Sequence, residues 1–122
     1  MGYRSDVALA IAPSEATLLK ELSNCNEELK SLLDYAEVRD NWPPDEGDDY
    51  PTKFKWESVK WYDSFPDVAA LQRFMANIGA ENYRFLRIGE ESDDIEAEGY
   101  LECDGMYISR YIELWKIKRA TV

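Results

Sequence analysis

VALAIAPSEATLL, residues 7–19, joins a six-residue apolar run to a helix start across a single proline. The run VALAIA is bounded by Asp6 and Pro13. It is too short for a helix and suits a buried central strand. Pro13 ends the strand, Ser14 is placed to cap a helix, and Glu15 favours its first turn. Leu18, Leu22, Cys25, Leu29 and Leu32 then recur at spacings of four, three, four and three, which is one stripe of an α-helix. Ser23, Asn24, Cys25 and Asn26 are mediocre helix formers. A break is expected there, with Asn24 or Asn26 capping the restart and Cys25 acting as a small apolar residue on the buried stripe.

Working outward, LDYAEVR (33–39) alternates loosely and reads as a second strand. NWPPDEGDDYP (41–51) holds three prolines, one glycine and four acids, and is a loop. KFKWESVKWY (53–62) reads as a strand, with Phe54, Trp56 and Ser58 on one face and Lys55, Glu57, Val59 and Trp61 on the other. Ser64 and Asp67 resemble a capping box, and Pro66 fits a first helical turn. Val68, Leu71, Met75 and Ile78 form a second helical stripe, with Gly79 placed to close it in the left-handed conformation. NYRFLRI (82–88) alternates as a strand. Residues 99–103 suit a short strand, Asp104-Gly105 a hairpin turn, and MYISRYIELWKI (106–117) the longest strand of all. This order predicts an α+β fold, a ferredoxin-like split βαβ sandwich. Two helices would lie on one face of a mostly antiparallel sheet, with an added C-terminal hairpin. The length suits one domain over residues 1–122.

Composition excludes several function classes. Hydrophobic residues make up 45% of the 122, enough for a core, so the chain does not read as disordered. No apolar run reaches the roughly 20 residues of a membrane helix, and a cytoplasmic protein is expected. There is no histidine, so Ser–His and Cys–His nucleophiles are ruled out. Two cysteines without histidine make a poor zinc set, and in a reducing compartment both are expected as thiols. Neither a nucleophile elbow nor a phosphate loop occurs. The chain therefore reads as a non-enzyme, without cofactor.

The net charge of −11 is local in origin. Asp45, Glu46, Asp48 and Asp49 form one acidic segment. Glu90, Glu91, Asp93, Asp94, Glu96, Glu98, Glu102 and Asp104 form a second, and neither contains Lys or Arg. The other 13 acids face all 14 bases, so the remainder is about neutral. Asp94, Glu96, Glu98 and Gly99 match calcium-loop positions 1, 3, 5 and 6, but position 12 is Gly105 where a bidentate glutamate is needed. No metal site is expected. Lys53, Lys55 and Lys60 interleave with Phe54, Trp56 and Trp61, yet the net charge repels phosphates, so direct nucleic-acid binding is not expected. The two segments read either as solvated loops or as a negative surface that steers a basic partner. Four Trp and eight Tyr exceed what a small core readily hides. Trp42, Tyr50 and Trp61, with Tyr62 and Tyr100, are candidate interface anchors beside the acids.

Three stretches carry a resemblance: MGYRSDVALAI at the start, VKWYDSFPDV (59–68) and YRFLRIGEESDDIE (83–96). Together they resemble a group of small bacteriophage- and prophage-encoded proteins. No activity or functional residue is carried over from it. What the resemblance implies is a bacterial host cytoplasm and a small accessory protein. Such a protein would bind and inhibit a basic-surfaced host or defence protein, including by mimicking nucleic acid. The alternatives from other classes are a small-ligand sponge or sensor acting as a homo-oligomer, and a structural part of the virion.

Overall fold

The computed structural model describes residues 2–45, 47, 49–91 and 93–103. The expected C-terminal hairpin and the candidate residues Glu46 and Asp48 lie outside the described residues.

Strand β1 (Ser5–Ile11) leads through Pro13 into helix α1 (Pro13–Asn24), followed by α2 (Glu27–Asp34), β2 (Val38–Asp40) and β3 (Thr52–Val59). Helix α3 (Pro66–Ile78), a 3-10 turn (Ala80–Asn82), β4 (Tyr83–Ile88) and β5 (Ile95–Glu98) complete the described elements. The protein is α+β, with three α-helices and a five-stranded sheet among the described residues. The strand order is β2-β3-β1-β4-β5 and every pairing is antiparallel. Among the described residues no helix is long and apolar enough to cross a membrane.

The opening apolar run is the central strand. Val7, Leu9 and Ile11 point into the core, and Ala10 on the opposite face is fully covered as well. Helix α1 keeps its proline at the first position, but its N-cap is Ala12, not Ser14, and no side chain caps it. Its buried residues are Ala16, Leu19 and Ser23, so Leu18 and Leu22 are exposed, and so is Cys25. This corrects the expected stripe. The break at Cys25 frees α1 to rotate independently, and α2 restarts with the Asn26 Oδ1 accepting from the Leu29 N–H at 3.1 Å. Leu29, Leu32 and Leu33 of α2 enter the core as a helical face, which removes Leu33 from the expected second strand.

In α3 the expected stripe Val68, Leu71, Met75 and Ile78 is buried. Its N-cap is Phe65, and no Ser64–Asp67 capping box forms. Asp67 instead accepts its neighbour Val68 N–H at 2.7 Å. Gly79 follows at φ 89 and ψ 151, a region open to glycine but outside the left-handed helical well.

The largest departure lies in β3. Ser5 pairs with Val59, but Val7 pairs with Trp56, so β3 spends three steps where β1 spends two. The extra residue is a β-bulge, with Ser58 at φ 51. The Ser58 N–H donates to Asp6 Oδ1 at 2.9 Å, and Arg4 Nη1 donates to the Ser58 carbonyl at 2.7 Å. The bulge reverses the side-chain phase. Val59 and Trp61, expected opposite Trp56, turn back into the core with it. The result is a run of rings through the core. Trp42 meets Phe54, Phe54 stacks on Trp56, and Trp61 lies between Trp56 and Phe85, with centroids 5.1 to 6.0 Å apart. Trp56 Nε1 donates to the Leu32 carbonyl at 2.8 Å and so pins α2 to the sheet.

Candidate functional site: an acidic edge held by Arg87

Residues 89–103 begin as a loop and then form β5, an outer strand of the described sheet. The sequence pattern predicts this strand later, at residues 99–103. The sequence IEAE explains the placement. Glu96 and Glu98 stand opposite Arg87 and Phe85, while Ile95 and Ala97 stand opposite Ile88 and Leu86. The alternation is regular, but two glutamates within an acidic run disguise it as a solvated turn. All four β5 residues are exposed.

One guanidinium organises this edge. Arg87 continues the core phase of β4 after Tyr83 and Phe85, and its side chain is only 12% exposed. A cation so placed must find carboxylates. Arg87 Nη2 and Nη1 donate to the two oxygens of Asp94 at 2.6 and 3.2 Å, and Nε donates to Glu96 Oε1 at 2.5 Å. Nη1 also reaches Ser5 Oγ at 2.9 Å. Burial alone would lower the Arg87 pKa, but the bonds to Asp94 and Glu96 outweigh it and hold the pKa above its usual value. Asp94 and Glu96, two of the residues matched to calcium-loop positions, thus converge on a protein cation.

The N-terminal segment closes over the loop. Tyr3 OH donates to Asp94 Oδ2 at 2.6 Å and accepts the Glu91 N–H at 3.0 Å. The Tyr3 N–H donates to Tyr62 OH at 2.8 Å, and the Arg4 N–H donates to Glu90 Oε2 at 2.5 Å. The hydrogen bond to Asp94 is the largest cause raising the Tyr3 pKa. Burial, reinforced by the Glu98 charge, raises that of Tyr83. Gly89 is buried beneath this contact. A Cβ there would run into the Asp94 carboxylate and the Tyr3 hydroxyl. Its N–H donates to the Asp94 carbonyl at 2.8 Å, which closes the turn.

The structure brings Glu90, Glu91, Asp93, Asp94, Glu96 and Glu98 together on one edge. Of these six carboxylates, Asp94 and Glu96 pair with the Arg87 guanidinium. Asp45, Asp49, Trp42 and Tyr50 do not join them. Their loop enters β3 at Thr52, which pairs with Ile11. The loop at 89–94 leaves β4 at Ile88, which pairs with Asp6 at the other end of β1. The 45–49 loop and the 89–94 loop therefore sit at opposite ends of the sheet, while Glu96 and Glu98 run back along β5 from the second. Of the candidate anchors, Tyr50 is 74% exposed and Trp42 is half-buried against Phe54. Trp61, at 6%, belongs to the core, because the Ser58 bulge turns it inward. Tyr100, two residues past Glu98, is 66% exposed, and its N–H bonds the Ala80 carbonyl at 2.9 Å, at the Tyr83 end of β4 and away from the 89–94 loop.

Sequence reading missed Arg87, Tyr3 and Gly89 as organisers of the site. Arg87 alone left a signal: a cation at a core-phase position on a strand. No protein-family model, curated protein or solved structure matches the chain.

Proposed function

We propose that this chain is a non-enzymatic binding protein that presents its β4–β5 edge to a cationic protein surface. The observation that carries the reading is the arrangement around Arg87. One buried guanidinium fixes the loop and strand in place while most of the carboxylate charge stays on the outside. Charge held in a fixed geometry speeds encounter with a complementary partner and loses little entropy on docking. Tyr100, past Glu98 at the far end of this edge, supplies an exposed ring of the kind that anchors interfaces.

The fold supports a finer reading. The order β2-β3-β1-β4-β5 fits a ferredoxin-like split βαβ sheet extended by one edge strand. With the resemblance to bacteriophage and prophage proteins, the proposed role is an accessory protein of the bacterial cytoplasm. It would block a host or defence protein, including one whose basic surface normally meets nucleic acid.

The test is binding kinetics on partners captured from bacterial lysate. The association rate is expected to fall at least about tenfold between roughly 0.05 and 0.3 M salt. A variant with Glu91→Gln, Asp93→Asn and Glu98→Gln is expected to reproduce that fall at low salt. Asp45→Asn with Asp49→Asn, at the far end of the sheet, is expected to leave the rate unchanged. A partner indifferent to the first variant and to salt refutes the reading.

A further inference from the structure

We propose that the outer edge of β5 takes up an extended basic segment of the partner protein as an added strand. The inference rests on the proposed binding function and deepens it, by naming the form the partner takes at that edge.

The edge is defined by hydrogen-bond phase. In an antiparallel ladder, pairs that exchange N–H···O bonds alternate with pairs that do not. The Gly89 N–H bonds the Asp94 carbonyl, and these two residues continue the register of Ile88 with Ile95. Arg87–Glu96 and Phe85–Glu98 are therefore bonded pairs, and Ile95 and Ala97 aim their backbone groups away from β4. The Ile95 N–H turns back to the Asp93 carbonyl at 3.1 Å, which leaves the Ile95 carbonyl and both backbone groups of Ala97 facing outward. Among the described residues no strand pairs with that side, and all four β5 residues are exposed. The Arg87–Glu96 bridge holds the strand in place, so the edge is formed before anything docks. An open row of this kind is a template for another chain.

Charge selects the occupant. A strand that bonds Ala97 sets its two flanking side chains opposite Glu96 and Glu98, at non-bonded positions where side chains approach most closely. Glu96 already shares Arg87, while among the described residues Glu98 pairs with no cation. The complement is lysine or arginine at alternate positions. A second copy of this chain is disfavoured in every antiparallel register that joins outward-facing groups. Matching Ala97 with Ala97 sets Glu96 against Glu98, and matching Ala97 with Ile95 sets Glu96 against Glu96. Matching Ile95 with Ile95 sets Glu96 against Asp94. The opposite edge, β2, is three residues long and places Arg39 beside Asp40, so it has no such preference.

The test uses the full chain and a synthetic peptide of about nine residues that alternates lysine with valine. A second peptide of the same sequence, N-methylated at its valines, keeps the charge but cannot complete the ladder. The first is expected to bind and to slow hydrogen exchange at the Ala97 N–H at least about tenfold. The second is expected to bind at least about tenfold more weakly. Ala97→Pro removes an N–H that β4 does not use and is expected to weaken the first peptide at least about tenfold, with circular dichroism checking the fold. Glu98→Gln is expected to weaken it about two- to fivefold. Equal binding of the two peptides, lost at high salt, overturns strand addition and leaves the charged-edge reading standing. Binding of neither at roughly 0.05 M salt overturns both. Slowed exchange at Ala97 that appears only as protein concentration rises assigns the edge to a second copy and overturns the proposal equally.

Discussion

Replacing Arg87 by methionine keeps most of the side-chain volume and removes the charge that Asp94 and Glu96 share. Asp94 is the more enclosed partner, with 29% of its side chain exposed, and it takes two donors from the guanidinium. A hydrogen-bonded charge pair of this kind contributes about 1.5–3 kcal/mol, and a carboxylate left behind in a partly enclosed site accounts for much of that. Glu96 is 47% exposed, so solvent screening limits its share to under about 1 kcal/mol. The expected loss is about 2–3 kcal/mol. For a domain of this size it lowers the thermal midpoint by about 6–12 °C. The assay is thermal unfolding followed by circular dichroism at pH 7, with Arg87→Met, Asp94→Asn and the double variant compared. If the stranded carboxylate is the cause, adding Asp94→Asn to Arg87→Met recovers part of the loss. A midpoint within about 2 °C of wild type for Arg87→Met, or a double variant no better than it, refutes the assignment of Arg87 as the organiser of the edge.

Trp61→Ala removes a buried ring from between Trp56 and Phe85 and is expected to cost about 3–5 kcal/mol in urea unfolding, against under about 0.5 for Tyr50→Ala on the surface. Equal effects would place Trp61 outside the core. Gly89→Ala forces the Asp94 carboxylate and Tyr3 hydroxyl apart and is expected to cost about 1–3 kcal/mol, read as a lower thermal midpoint; an unchanged midpoint would mean that the loop adapts freely. Tyr3 must keep its proton to donate to Asp94, and its pKa is raised in the folded chain. Its contribution is therefore complete below the unfolded value of about 10 and is lost as pH rises through the higher folded value. Between pH 9 and 11 the wild-type midpoint is expected to fall more steeply than that of Tyr3→Phe, and parallel curves would exclude the contribution.

What the sequence revealed depended on whether periodicity ran uninterrupted. The stripe of α3, the alternation of β4 and the apolar run of β1 can be read directly, because no break or inserted residue interrupts them. The α1 stripe cannot. Its apparent continuity through Cys25 bridges two helices with separate rotations, so the stripe that holds for Leu29 and Leu32 does not extend to Leu18 and Leu22. In β3 the alternation was intact up to Trp56, and one additional residue at Ser58 inverted everything after it, so Trp61 was placed on the wrong face. Nothing in the local composition announces that insertion. The acidic run was found, but its internal order was not, because Tyr3 and Asp94 meet across 91 positions of chain. Contacts of that range come from strand order, which local patterns suggest without specifying.

The placement of the two acidic loops at opposite ends of β1 sets a distance. Seven residues of strand span about 23 Å, and the offset between the two edges adds about 14 Å sideways, for a separation near 27 Å. That is about three times the distance over which physiological salt lets charges sense one another. The molecule is thus bipolar without being coupled: whatever docks at one end leaves the potential at the other undisturbed. A short basic peptide can neutralise a single pole, and only a ligand longer than the sheet, or two ligands at once, can quiet both.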